Sequence, residues 1–173
     1  MEITLRALTV ADAAAFKALR LRGYREHPAL FAYSHDEEVD RPLADTERDL
    51  QPAGGGVVVG AFAPGLVAVA GLRADGRRKR SHRLHLHGVY VAPEARGRGL
   101  ARTLVTELLQ RARTAGTSQI ILTVMSANES AIALYHALGF ERYGRAPRAM
   151  VQGGTFHDED LMFLDLDVDP RAT

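Results

Sequence analysis

Apolar and polar positions change period several times along this chain, and each change marks an element. Residues 1–8 alternate, Ile3 and Leu5 against Thr4 and Arg6, which predicts a first strand. Thr9 or Asp12 then caps a helix whose apolar positions are Ala15, Phe16, Leu19 and Tyr24, and His27-Pro28 ends it. Residues 30–34 are irregular, an acidic run covers 36–40, and a short helix follows Pro42 from Leu43 to Leu50. After a turn at 52–56, Val57–Val59 and Leu66–Leu72 read as strands joined at Ala63-Pro64-Gly65. A basic turn begins at Asp75-Gly76. The central strand, Leu84 to Val91, stops before Pro93, which has no N–H for a ladder. Leu100, Leu104, Leu108 and Leu109 recur at helical spacing. The β-branched run Ile120–Val124 predicts a strand buried on both faces. Ile132, Tyr135 and Leu138 are helical again, with Gly139 at the C-terminal cap position. Segments on either side of Gly153-Gly154 form a hairpin candidate, and Leu161–Leu166 is the last strand.

Composition narrows the class. At 173 residues, 46% hydrophobic and 25% charged, the chain is read as one globular domain over residues 1–168, with 169–173 frayed. A net charge of +1 gives no electrostatic case for nucleic acid or membrane. The cluster Arg77, Arg78, Lys79, Arg80, His82 and Arg83 lacks interleaved aromatics and reads as a solvated hairpin tip. Without cysteine there is no disulfide, thiolate metal site or thiol nucleophile. No apolar run reaches spanning length and no signal-peptide pattern opens the chain, so cytoplasm is the expected location.

The richest chemistry lies where the central strand gives way to Arg96-Gly97-Arg98-Gly99-Leu100-Ala101-Arg102. A Gly-rich turn that opens directly into a helix exposes N–H groups at the positive end of the helix dipole, which suits an anionic, phosphorylated ligand. A Walker loop is absent, and a dinucleotide fingerprint fails because Arg102 stands where the third glycine belongs. What fits is Arg-x-x-Gly-x-Ala, formed by Arg96, Gly99 and Ala101 after a strand ending in Val-x-Pro. This resembles the pyrophosphate segment of the GNAT superfamily of acyl-CoA-dependent N-acyltransferases. A second stretch, Asn128-x-x-Ala131-x-x-Leu134-Tyr135 followed by Leu138-Gly139-Phe140, is similar to the other half of that family's acyl-CoA site.

The resemblance implies an α+β fold: a mixed, mostly antiparallel sheet of about seven strands, splayed in the middle, with helices on both faces. It implies acetyl-CoA as donor. The pantetheine arm would run along Val89, Tyr90 and Val91, and the diphosphate would rest on residues 96–102. Asn128 and Ala131 would border the site, and Tyr135 would protonate the departing thiolate. The implied reaction is direct transfer of an acetyl group to a primary amine of a small molecule or peptide. The resemblance makes Tyr24, Phe31, Ser34, Phe156 and His157 acceptor-pocket candidates. It also allows a homodimer, which no residue specifies.

His85 falls about where many relatives carry a catalytic glutamate, which is absent here. In a regular strand His85, His87, Val89 and Val91 share one face. Histidine suits a general base, since its unperturbed pKa is ~6.5. Gly88 marks a bulge candidate that would re-aim the side chains around it, so the choice between His85 and His87 stays open. Two other classes compete: an acyl-CoA-binding domain without turnover, and an oxidoreductase holding a dinucleotide on the Gly-rich turn.

Overall fold

A computed structural model describes residues 2–51 and 56–166. Most of the turn expected at 52–56 and the segment 169–173 lie outside the described residues. The strands are β1 (Thr4–Ala7), β2 (Val57–Phe62), β3 (Leu66–Ala74), β4 (Arg83–Val91), β5 (Gln119–Met125), β6 (Glu141–Gln152) and β7 (Thr155–Asp165). They form one seven-stranded sheet in the order β1-β2-β3-β4-β5-β7-β6. Every neighbouring pair is antiparallel except β4 and β5. The helices are α1 (Ala13–Glu26), α2 (His35–Val39), α3 (Leu43–Asp49), α4 (Leu100–Thr114) and α5 (Glu129–Ala137). Among the described residues no helix is long and apolar enough to cross a membrane.

Each face of the sheet carries its own core. On one face α4 lays Leu104, Val105, Leu108 and Leu109 over Ala61, Ala68, Ala70, Ile120 and Leu122. The small alanines let the helix approach the strands closely, and α5 adds Tyr135 to the same cluster. On the other face Phe16 and Leu19 of α1 cover Val58, Val69 and Tyr90. Helices therefore flank the sheet on both sides, as the family resemblance implies.

Two elements depart from the sequence reading. β7 begins at Thr155 rather than Leu161. The run Asp158-Glu159-Asp160 disfavours a strand by propensity, but Asp160 is buried at 2% exposure and held by neighbours. It accepts hydrogen bonds from Ser126 Oγ (2.7 Å), Arg145 Nε (2.8 Å) and Arg142 Nη1 (3.3 Å). The acidic run at 36–40 lies largely in α2, which is helical because Ser34 and Glu37 form a reciprocal capping box. That Ser-x-x-Glu signal is present in the sequence.

Candidate active site

The two parallel central strands share only a short ladder. β4 and β5 pair at Arg83–Gln119, Leu84–Ile120 and His85–Ile121. From Leu86 and Leu122 onward they diverge, so backbone groups along that edge of β4 have no partner in the sheet. A cavity of about 600 Å³ occupies the divergence, a size ordinary for a ligand site. Its wall includes Val89, Tyr90 and Val91 on one side, Thr123 and Val124 on the other, and Asn128, Ala131 and Tyr135 from the α5 region.

The outer end of this cavity is the turn into α4. Arg96, Gly97, Gly99, Leu100, Ala101 and Arg102 line it, whereas Arg98 sits in the turn without reaching the wall. Gly99 is the N-cap of α4 in the left-handed conformation (φ 72°, ψ 10°), and no side chain caps the helix. A side chain there would be strained, and the uncapped amides leave the positive helix end facing the cavity.

The Arg96 side chain has a bracing task. Its Nε donates to the Val91 carbonyl at 3.0 Å, and its Nη2 meets His27 Nε2 at 2.9 Å. Nearby, Tyr90 donates to Glu26 at 2.6 Å, and Arg22 grips Glu94 with two bonds of 2.7 and 2.8 Å. The polar end of α1 thus fastens the turn to β4. These long-range pairs have no local signal in the sequence. Burial, together with Glu26, pushes the Tyr90 phenol up to about 12.

At the inner end lies Tyr135, 7% exposed and edge-on to Phe140 with ring centroids 5.7 Å apart. Burial raises its phenol to about 12. Asn128 accepts from the Ala131 amide at 3.3 Å and caps α5, which sets the orientation of the helix bearing Tyr135.

Gly88 is a bulge: φ is 63°, and the β3–β4 register shifts between Val69–Tyr90 and Gly71–His87. The extra residue reverses the facing of the rest of the strand. Val89 and Val91 pack toward the α4 face, whereas Tyr90 joins the α1 face. His85 and His87 do not share a face with Val89 and Val91, contrary to the expectation for a regular strand. Instead they line a second chamber, about 820 Å³, between the sheet and α1–α3.

The two spaces meet at Leu30, Phe31, Leu86, His87, Gly88 and Thr123, which border both. Tyr24 also lines the chamber; its hydroxyl accepts from Arg20 Nε at 2.8 Å and its ring meets Phe31 edge-on at 5.3 Å. Burial and the charges of Arg73 and Arg20 lower the His87 imidazole to about 4. Burial, Arg73 and Arg83 lower His85 as well.

Three acceptor-pocket candidates stand elsewhere. Ser34 is engaged in capping α2. Phe156 is 55% exposed beneath the Arg148 guanidinium, and His157 pairs with Met150, both toward the tip of the β6–β7 hairpin. Both lie nearer the tip of the β6–β7 hairpin than Glu159, off the chamber wall. Among the chamber-lining residues that the sequence did not single out are Arg73 and Glu159. Strand alternation in β7 would have found Glu159: with Asp160 turned to the arginines of β6, Glu159 takes the opposite face. Among the described residues, no group of three or more His, Asp or Glu is arranged to hold a metal ion.

Comparison with known proteins agrees with this geometry. Residues 19–140 match the family model described as Acetyltransferase (GNAT) family. The L-methionine sulfoximine/L-methionine sulfone acetyltransferase of Pseudomonas paraeruginosa is 37% identical over 50% of this chain and 49% of its own length. The L-amino acid N-acyltransferase MnaT of Escherichia coli is 33% identical over 50% of this chain and 49% of its own. The chain thus spans about half the length of these curated relatives. A GNAT superfamily phosphinothricin acetyltransferase from Sinorhizobium meliloti, solved with AcCoA, superposes with a TM-score of 0.82 at 26% identity, covering 100% of this chain and 93% of that one.

Proposed function

This chain belongs to the acetyltransferase (GNAT) family, and from that premise we propose that it transfers an acetyl group from acetyl-CoA directly to the primary amine of a small, amino-acid-like molecule. The divergence of β4 from β5 carries the reading, because it joins an elongated cavity with an anion-binding end to a chamber of mixed charge. Acetyl-CoA, when bound, supplies an activated acyl thioester.

The residues suit that donor. The uncapped start of α4 receives the diphosphate, with Gly97, Gly99, Leu100 and Ala101 offering main chain rather than side chain. The edge of β4 at Val89 and Val91, which no strand covers and where the Val91 carbonyl already accepts from Arg96, bonds an extended amide-bearing arm as a further strand would. Tyr135 keeps its proton at neutral pH, with a phenol pKa of about 12, and hands it to the departing sulfur. Holding amine and thioester together at the junction beside Thr123 supplies much of the acceleration.

Charge in the chamber favours an acceptor that carries an acid beside its amine. Arg20 is engaged by Glu38 at 3.5 Å, Arg41 by Asp49 at 2.7 Å and Arg48 by Asp45 at 2.9 Å. Arg73, opposite His85 on β3, has no acidic partner among the described residues and is placed to receive a carboxylate. The names of the relatives, an L-methionine sulfoximine acetyltransferase and an L-amino acid N-acyltransferase, support the same class.

The test is acetyl-CoA-dependent thiol release over α-amino acids, their decarboxylated amines, polyamines and peptides. An α-amino acid should turn over, and removing its carboxylate should cut kcat/KM about tenfold or more. Tyr135→Phe should lower kcat at least about tenfold while CoA affinity holds. Tight CoA binding with no thiol released for any amine would instead identify a non-catalytic acyl-CoA-binding domain.

A further inference from the structure

We propose that Glu159, on β7, receives the ammonium group of the acceptor and takes the proton that frees the amine for attack, the task for which sequence position nominates the β4 histidines. The inference rests on the acetyl-transfer reading above and identifies the base of that same site.

Position comes first. Glu159 pairs with Met125 on β5, and Leu161 pairs with Thr123, which borders both spaces. Two residues along a strand are ~7 Å and adjacent strands lie ~5 Å apart, so a glutamate side chain on that face reaches toward the junction. Glu159 lines the chamber and is half-buried. Its neighbour Asp160 is consumed by Ser126, Arg142 and Arg145. Glu159 has neither a cation nor a hydrogen-bond donor among the described residues. A half-buried carboxylate without a partner is costly unless a ligand supplies one. An ammonium ion supplies both charge and donors.

His87 borders both spaces and Glu159 only the chamber, but the histidines are less suited to take a proton. His87 lies in the field of Arg73 and Arg20, so a positive charge on its ring is opposed by two others. His85 belongs to the closed part of the β4–β5 ladder, 3.9 Å from Asp75. Burial raises the Glu159 carboxyl above the ordinary glutamate range, which improves it as a proton acceptor.

The balance is simple. One ammonium proton passes to the Glu159 carboxylate, and the freed nitrogen lone pair forms the N–C bond. The C–S bond breaks, its electron pair stays on sulfur, and Tyr135 protonates the thiolate. The second proton lost from nitrogen restores the Tyr135 phenol through solvent. Glu159 returns its own proton to water, so the net products are amide, free thiol and one proton.

Two variants decide it. Glu159→Gln keeps shape and removes charge; Glu159→Asp keeps charge and withdraws it by one methylene. Wild type and both variants are titrated calorimetrically with CoA, then, CoA-loaded, with the best amino acid of the panel, and kcat and KM are measured. Glu159→Gln should bind CoA as wild type does, weaken amino-acid binding about tenfold and lower kcat/KM about 100-fold. Glu159→Asp should recover part of both losses. Amino-acid affinity and kcat/KM within threefold of wild type in Glu159→Gln would overturn the proposal. So would equal loss of CoA affinity in both variants, which would make the residue structural. A wild type that binds CoA yet acetylates no amine sinks the acetyl-transfer reading itself, an outcome distinct from either.

Discussion

His87 shows how one residue's surroundings set its chemistry. Histidine ordinarily titrates near neutrality, but burial and the charges of Arg73 and Arg20 hold this ring neutral down to about pH 4. The unfolded chain binds that proton from about pH 6.5 downward, so acid favours unfolding between roughly 6.5 and 4. Stability from this residue is therefore fully present above about pH 6.5 and lost as pH falls toward 4. A shift from 6.5 to about 4 corresponds to at most about 3 kcal/mol. Urea midpoints at pH 7 and pH 4.5 should fall further for wild type than for His87→Gln, the difference isolating this group from other carboxylates titrating there. Equal falls would show that the ring is not desolvated. The family resemblance and residue type nominated a base candidate at 85 or 87; only the neighbours brought by other strands and α1 show which charges face it.

At the scale of elements, the turn into α4 and the bulge in β4 are where local sequence and the proposed function coincide. Glycine at 99 was legible as a loop signal because only a residue without Cβ adopts φ 72° cheaply. The bulge at Gly88 and its re-aiming of neighbouring side chains were equally legible, but which face each residue takes was not, since that depends on the β3 register. The bracing of the turn by Glu26, His27 and Arg22 was hidden, because those partners lie about 70 positions away in sequence. Gly99→Ala should cost about 1–2 kcal/mol of stability and weaken CoA binding at least fivefold, since the strained cap must tilt the first turn. Gly76→Ala is the control: its φ is 81°, and a Cβ at either position meets nothing within 4 Å. It should lose similar stability with CoA affinity intact. Thermal melts and calorimetry check both, and equal CoA affinity in the two variants would separate the turn from cofactor binding.

Across the whole molecule, one sheet with a helical layer on each face does two jobs by opening at a single place. The ladder from β1 to β4 is closed, β5 is closed to β7, and β4 leaves β5 after His85. The architecture was readable from period changes and two motifs, because strand and helix periods and turn residues are local properties. The composition of the chamber proposed for the acceptor was not, because Arg73, His87 and Glu159 are far apart in sequence and meet only through strand order. The charged run leading into β7 concealed a strand whose acid on one face is neutralised and whose acid on the other is exposed to the chamber. In the proposed function, main-chain amides at the start of α4 and along β4 hold the donor. An amide proton–nitrogen NMR titration with CoA tests this most directly. The largest shifts should fall at residues 97–101 and 88–91. Shifts confined to the basic turn at 77–83, or no shift at the head of α4, would contradict it.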